Sequence, residues 1–270
     1  IAATIIAWIS GILWIIPLMA VFMCSIRSYS EIVTGWWKFD EFHPTIENFV
    51  KAWSLEYFSL NRPMINSFIV SIPSTILPLL VSSLAAYGFA RFNFPLKDNI
   101  YLTLLILSAI PGQMIALPIY RLYLDVKLLN TFLGLILLHT GVGSIWITFF
   151  MKNFFDTLPR EVEDAAKVDG ASDFVIFKSI VIPLSLPALA SAGILQFIWV
   201  WNDLFFAMVV LSDLTKFTAT QCVPLLAGKH VIDLSIVAAG AIISSMVPIV
   251  VYALTSKYFV KGLIGWAPAA

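Results

Sequence analysis

The chain has 270 residues, 60% of them hydrophobic and only 12% charged, and its mean hydropathy is +0.93. Soluble domains are about half apolar and about a quarter charged, so a soluble enzyme and a disordered chain are both excluded. The 16 basic and 16 acidic residues cancel, which leaves no positive field to attract nucleic acid. Two cysteines, Cys24 and Cys222, make neither a disulfide framework nor a zinc site. A polytopic membrane protein remains.

Stretches without Asp, Glu, Lys or Arg mark the spans. Six occur, at 1–26, 63–90, 99–120, 128–151, 179–202 and 234–256. Each exceeds the roughly 20 residues needed to cross the hydrocarbon core. The first lacks a basic flank and a small-residue cleavage site, so it is expected to be a true span rather than a signal peptide. The fourth span is placed at about 130–151. The fifth starts after Pro183, at about 184, and runs past Asp203 to 211, because 204–211 is again apolar. Strand-like alternation is absent, which disfavours a membrane β-barrel. The expected architecture is an all-α membrane protein with six transmembrane helices in one domain over 1–270. Pro17, Pro73, Pro78, Pro111 and Pro248 fall within spans and serve either as packing kinks or as hinges, their freed carbonyls satisfied by neighbours. Lys and Arg divide eight against eight between the two sides, so the positive-inside rule leaves the orientation open.

The loop 152–183 is the most charged part of the chain. Pro159 suits a first helical turn, Glu161 favours its dipole, and Gly170 is a natural stop. Ser172 then caps a second short helix that runs toward Pro183. Val162, Ala165 and Ala166 share one face of the first helix. Glu161, Glu163, Asp164 and Asp169, with Arg160 and Lys167, occupy the other, so four acids less two bases leave a charge of −2. A helix lying on lipid would carry Leu, Phe or Trp and would avoid negative charge. The pattern fits docking into a groove of another protein, with a plain solvated loop as the alternative.

A second polar cluster sits at membrane depth. Asn202 and Asp203 interrupt an apolar span just after Trp199 and Trp201. A carboxylate there faces a protein interior or a wet cavity. Either Asp203 is a cap or ion-pair member, or Trp201, Asn202, Asp203 and Gln196 line a solute path, since aromatic faces and paired polar groups suit sugar hydroxyls. Gln113, beside Pro111 and Gly112, is a weaker candidate, with interhelical packing as the alternative. No Gly-x-x-x-x-Gly-Lys-Ser/Thr, His-Glu-x-x-His or Gly-x-Ser-x-Gly occurs, so the chain offers no catalytic constellation, cofactor site or metal site.

Asp164-Ala-Ala-Lys-Val-Asp-Gly170, nine further residues, then Ile180-Val-Ile-Pro183, resembles the EAA loop of permease subunits in binding-protein-dependent ABC importers. Asp164 stands where that family usually has Glu, with Glu163 just before it, so either acid is available for the salt bridge expected there. Asn66-Ser67, Ala86-Tyr-Gly-Phe-Ala-Arg91, Leu129-Asn-Thr131, Trp201-Asn-Asp203 and Lys257-Tyr-Phe-Val-Lys-Gly262 are similar to segments of the maltose-type sugar permease branch. The resemblance covers the chain from about residue 45.

The resemblance implies a type I ABC importer permease fold in the cell membrane, with both termini and the loop 152–183 cytoplasmic. It implies that Glu161, Glu163, Asp164, Ala165, Ala166, Asp169 and Gly170 couple to an ATPase. The implied partners are a second homologous permease, two ATPase subunits that bind ATP and magnesium, and an external sugar-binding protein. A permease for a non-sugar solute such as an amino acid or phosphate is the near rival. An ATP-independent carrier or intramembrane enzyme is the distant one; a coupled carrier would usually bury several ionisable residues and show an internal repeat.

Overall fold

The computed structural model describes residues 2–40, 42–55, 58–228 and 233–264, with side chains described between 4 and 256 of those stretches. All regular structure among the described residues is helical. Among the described residues four helices are long and apolar enough to cross a membrane unaided, and six spans result if each of two bent helix pairs counts as one. The four are α1 (Ala2–Ser25), α4 (Asn61–Arg91), α7 (Phe132–Asp156) and α14 (Leu234–Ile264). Between α1 and α4 lie the short α2 (Tyr29–Gly35) and α3 (Glu47–Ser54).

The bent pairs depart from the straight spans expected at 99–120 and 184–211. The first is α5 (Lys97–Ser108) followed by α6 (Gly112–Asp125), at 100° to each other. Pro111 sits at the break with an extended ψ of 131°, and the residue before a proline is itself pushed away from helical angles. Alone, these helices are about 18 and 21 Å long at 1.5 Å per residue, short of the roughly 30 Å hydrocarbon core.

The second bent pair lies between α7 and the end of the expected fifth span. After α8 (Arg160–Val168) come α9 (Asp173–Ile176), a π turn at Phe177–Val181 and α10 (Ile182–Leu184). The axis then turns by 74° into α11 (Leu186–Trp201). The wide turn immediately precedes Pro183: the Ile182 amide reaches back to the Phe177 carbonyl. The expected helix 184–211 is also interrupted at Asn202–Leu204 before α12 (Phe205–Val210), because Asn and Asp side chains compete with the helical ladder and favour caps.

Two compact units make up the chain, Ile1–Ser67 with Asp213–Val247, and Phe68–Ser212 with Pro248–Ala270. In the first, Asn66 Nδ2 donates to the carbonyls of Thr215 (3.0 Å) and Phe217 (2.9 Å). Ser67 Oγ accepts from the Ala219 amide at the start of α13 (Ala219–Cys222). The Asn66-Ser67 pair thus holds the segment before α14. Also there, Asn48 Nδ2 donates to the carbonyls of Ser25 (2.9 Å) and Arg27 (2.7 Å). The Arg27 guanidinium, 1% exposed, lies over the Phe42 ring at 4.5 Å. Both cysteines are free thiols.

Among its described residues, the second unit holds two apolar cores. One joins Tyr87, Ile147, Met151, Phe155, Ile176, Phe177 and Val181, and so gathers α4, α7 and the loop 152–183. The other joins Val70, Tyr123, Leu135, Val200 and Val210. Leu129-Asn-Thr131 serves this second core. The Asn130 amide donates to Val210 O at 2.7 Å, and Thr131 Oγ1 caps α7 through the Gly134 amide. Lys257 to Gly262 lie at the end of α14, and their side chains fall outside the described residues.

Candidate functional site

The helix expected from Pro159 to Gly170 is α8. It ends on a left-handed residue: Gly170 has φ +83°. The Gly170 amide donates to Lys167 O and the Ala171 amide to Ala166 O, each at 3.0 Å, which is the Schellman arrangement. A Cβ at Gly170 would meet open space, so backbone conformation alone demands glycine here. Ser172 Oγ accepts from the Val175 amide and caps α9.

The faces of α8 differ from the expected division. Glu163 is 3% exposed and turns inward with Ala166, which packs on the apolar core. Val162, Ala165, Val168, Glu161, Asp164 and Asp169 are exposed, Val168 by 88%. On the next helix Phe174 and Val175 are exposed as well. Glu163 and Asp164 are therefore not interchangeable. At 3.6 residues per turn, consecutive residues point about 100° apart, so one acid enters the protein and the other faces out.

Glu163 has its partner within this chain. Arg91, the last residue of α4, places Nη2 at 2.7 Å and Nε at 2.8 Å from Glu163 Oε1. The same Nη2 donates to Phe155 O at 2.8 Å, and the Tyr87 hydroxyl donates to Glu163 Oε2 at 3.4 Å. The two charged side chains are 7% and 5% exposed. A second tie runs from Arg160 Nη2 to Ala90 O at 3.3 Å, a carbonyl in the last turn of α4, where the helix itself supplies no donors. Sequence reasoning assigned Arg91 and Tyr87 only to a family segment. Their pairing with Glu163 was signalled faintly by a surplus acid in the loop and an arginine at a span end.

The polar cluster of the fifth span separates in the same way. Trp201 is 1% exposed, set edge-on to Phe68 and stacked on Phe197. Gln196 is buried too. Its Nε2 donates to Ser74 O (3.0 Å) and His139 O (3.4 Å), and its Oε1 accepts from Trp146 Nε1 (3.0 Å). Asp203 accepts from the amides of Phe206 (3.2 Å) and Ala207 (2.9 Å) at the start of α12. Its Oδ2 lies 3.4 Å from His139 Nε2. Asn202 is exposed. With Trp146, Leu195, Ile198 and Trp199 it lines an open cleft of about 440 Å³. The two indoles there stand 6.5 Å apart at 50°. Gln113 is exposed. Among the described residues, no three His, Cys, Asp or Glu side chains converge to hold a metal ion.

Residues 78–265 match the family model described as "Binding-protein-dependent transport system inner membrane component". A probable ABC transporter permease protein of Pyrococcus horikoshii is 49% identical over 97% of this chain and 95% of its own. An alpha-glucoside transport system permease protein of Rhizobium meliloti is 37% identical over 82% of this chain and 59% of its own. The fold is that of a chain in a bacterial ABC transporter that imports the acidic polysaccharide alginate: TM-score 0.83, 21% identity, covering 96% of this chain and 95% of that one. The long apolar helices and the family match together make this chain a multi-pass membrane protein that belongs to the inner-membrane permease components of binding-protein-dependent ABC transport systems.

Proposed function

We propose that this chain is one permease subunit of an ATP-driven sugar importer, and that it meets its ATPase through α8 and the loop 152–183. The observation that carries the coupling half is the outer surface of α8 and α9. Val162, Val168, Phe174 and Val175 are exposed in the most charged loop of the chain, beside Glu161, Asp164 and Asp169. Apolar side chains rimmed by charge are what a protein partner covers. Glu163 turns inward behind this surface, and Gly170 ends the helix. The loop would be cytoplasmic, as would both termini. Two ATPase subunits would bind ATP and magnesium, and a second permease would complete the path. An external binding protein would deliver the solute, and ATP binding and hydrolysis would turn the cavity outward and back.

The sugar half rests on the relative that carries alpha-glucoside in its name and on the chemistry of the open cleft. Trp146 and Trp199 offer aromatic faces to the apolar side of a sugar ring, and the Asn202 amide offers hydrogen bonds. Trp201 and Gln196 stand behind this surface as support, and Asp203 fixes the turn that presents Asn202. A permease for a non-sugar solute would keep the α8 surface but not need the indoles.

Two measurements test the proposal. Val168→Glu should lower recovery of the ATPase with the tagged permease, while Val50→Glu, exposed on α3 outside the spans, should not. In vesicles, ATP-driven uptake of maltose should fall in Trp199→Ala and Asn202→Ala. Uptake of an amino acid or phosphate instead of any sugar would overturn the sugar half alone.

A further inference from the structure

We propose that Arg91 is a positioning residue for energy coupling: through Glu163 it makes α8 and the final turns of α4 a single moving body. This rests on α8 being the surface that meets the ATPase. By covalent connection, work delivered to α8 passes only to α7 before it and to α9 after it. Helix α4 is 72 residues away along the chain at the Arg91–Glu163 contact. It joins α8 through side chains alone.

Those side chains are suited to bearing load. The guanidinium fork holds one Glu163 oxygen with two nitrogens and the Phe155 carbonyl with the second of them, so α4, α8 and the end of α7 meet at one planar group. Planarity fixes direction as well as distance, which a lysine ammonium would not do. Burial keeps water from competing for these bonds. Tyr87 adds a hydroxyl to Glu163 and packs its ring against Phe155 (6.4 Å) and Phe177 (5.1 Å). The π turn after α9 is thereby drawn into the same knot. Arg160 ties the other side of α8 to Ala90 O. Helix α4 carries no proline between Leu80 and Arg91, so displacement of its end carries rigidly through that stretch.

A merely stabilising ion pair would set how much protein assembles, not how its helices move. Spin labels at Lys167 on α8, which is not one of the docking residues, and Leu80 on α4, both exposed, distinguish the two. They would be attached through cysteines after Cys24 and Cys222 are replaced, in the full assembly with its ATPases and second permease. Pulsed dipolar spectroscopy then compares the nucleotide-free state with the state trapped by ATP and vanadate. In the native background the Lys167–Leu80 distance should not change between the states. In Arg91→Met it should shift or broaden on trapping. Arg91→Lys should fall between, and stimulation of ATP hydrolysis by the binding protein should drop several-fold in Arg91→Met with ATPase recovery unchanged.

A native distance that changes on trapping would overturn the proposal, and so would an Arg91→Met distance that behaves as the native one does. Where Arg91→Met does not assemble, Glu163→Gln and Tyr87→Phe are read in the same way with the same two overturning results. Undiminished ATPase recovery in Val168→Glu would overturn the underlying assignment of α8 as well. Normal ATPase binding with independent motion of α4 would overturn this inference alone.

Discussion

Gln196 Nε2 lies 3.0 Å from the carbonyl oxygen of Ser74, and Ser74 is the residue four before Pro78 in α4. A proline has no N–H to offer that carbonyl. The glutamine supplies the missing donor from another helix, which is how a proline is tolerated at membrane depth. Gly143 makes the approach possible, since a Cβ there would overlap the Gln196 amide. The nearby Gly141 faces open space.

These two glycines give a matched pair of substitutions. Gly143→Ala should displace Gln196 and strand the Ser74 carbonyl and the Trp146 N–H, at about 1–3 kcal/mol for each buried group left unpaired. Gly141→Ala should be neutral or stabilising by roughly 0.5–1 kcal/mol, because alanine suits a helix interior better. Thermal midpoints in detergent compare them. Equal midpoints would remove the packing role of Gln196 and return it to the solute path.

Glu163 and Asp164 give the second pair. Glu163→Ala leaves Arg91 buried and without its main acceptor, and breaking a buried ion pair from one side costs about 3–5 kcal/mol. Asp164→Ala removes an exposed acid and should change stability by less than about 0.5 kcal/mol. Its effect, if α8 docks as proposed, belongs to ATPase recovery. The double variant should therefore match Glu163→Ala in stability and Asp164→Ala in recovery. A double variant worse than the sum in either readout would show that the acids share one partner after all.

The contrast between these residues explains what the sequence disclosed. The ends of α8, the Gly170 stop and the Ser172 cap follow from local rules that involve a few consecutive residues, and they were legible. So was the bulk apolar pattern that separates spans from the loop. The inward turn of Glu163 was not, because helical phase is fixed by which neighbour the helix packs on, and Arg91 lies 72 residues earlier. Pro78 and Pro111 look alike in sequence. One stays inside a helix, with its freed carbonyl repaired by Gln196, and the other sits at a 100° bend. Trp201 and Trp199 are likewise two aromatics two positions apart; the side of the helix, invisible to composition, buries the first and exposes the second.

Cys222 supplies a pH dependence. Burial pushes its thiol up to about 11 from an ordinary 9.0, with Sγ facing the Ser59 carbonyl at 3.4 Å. Below pH 9 the folded and unfolded chains both keep this proton, and the contribution of the buried thiol is fully present. Between 9 and 11 the unfolded chain releases its proton first, so stability drains away as pH rises. The thermal midpoint of the native chain should fall more steeply across that window than that of Cys222→Ala. Identical slopes would place the alkaline loss in other groups.

Asp203 and Asn202 are adjacent and should fail differently. Asp203 accepts two backbone amides at the start of α12, so its first duty is that of a cap. Asparagine keeps only one of these two acceptors, its other terminus being an NH2 donor, whereas alanine keeps neither and costs about 0.5–2 kcal/mol. Asp203→Asn should thus lose less thermal stability than Asp203→Ala, which should lose that amount. The His139 imidazole lies 3.4 Å from the same carboxylate. Asn202 is exposed in the cleft beside Trp146 and Trp199, so Asn202→Ala should leave stability unchanged and lower uptake. Yield, thermal midpoint and ATP-driven uptake measured in the same membranes separate these duties. Reduced uptake in Asp203→Asn with native yield and midpoint would make the carboxylate itself part of the solute path, and the capping bonds would then be incidental to its presence.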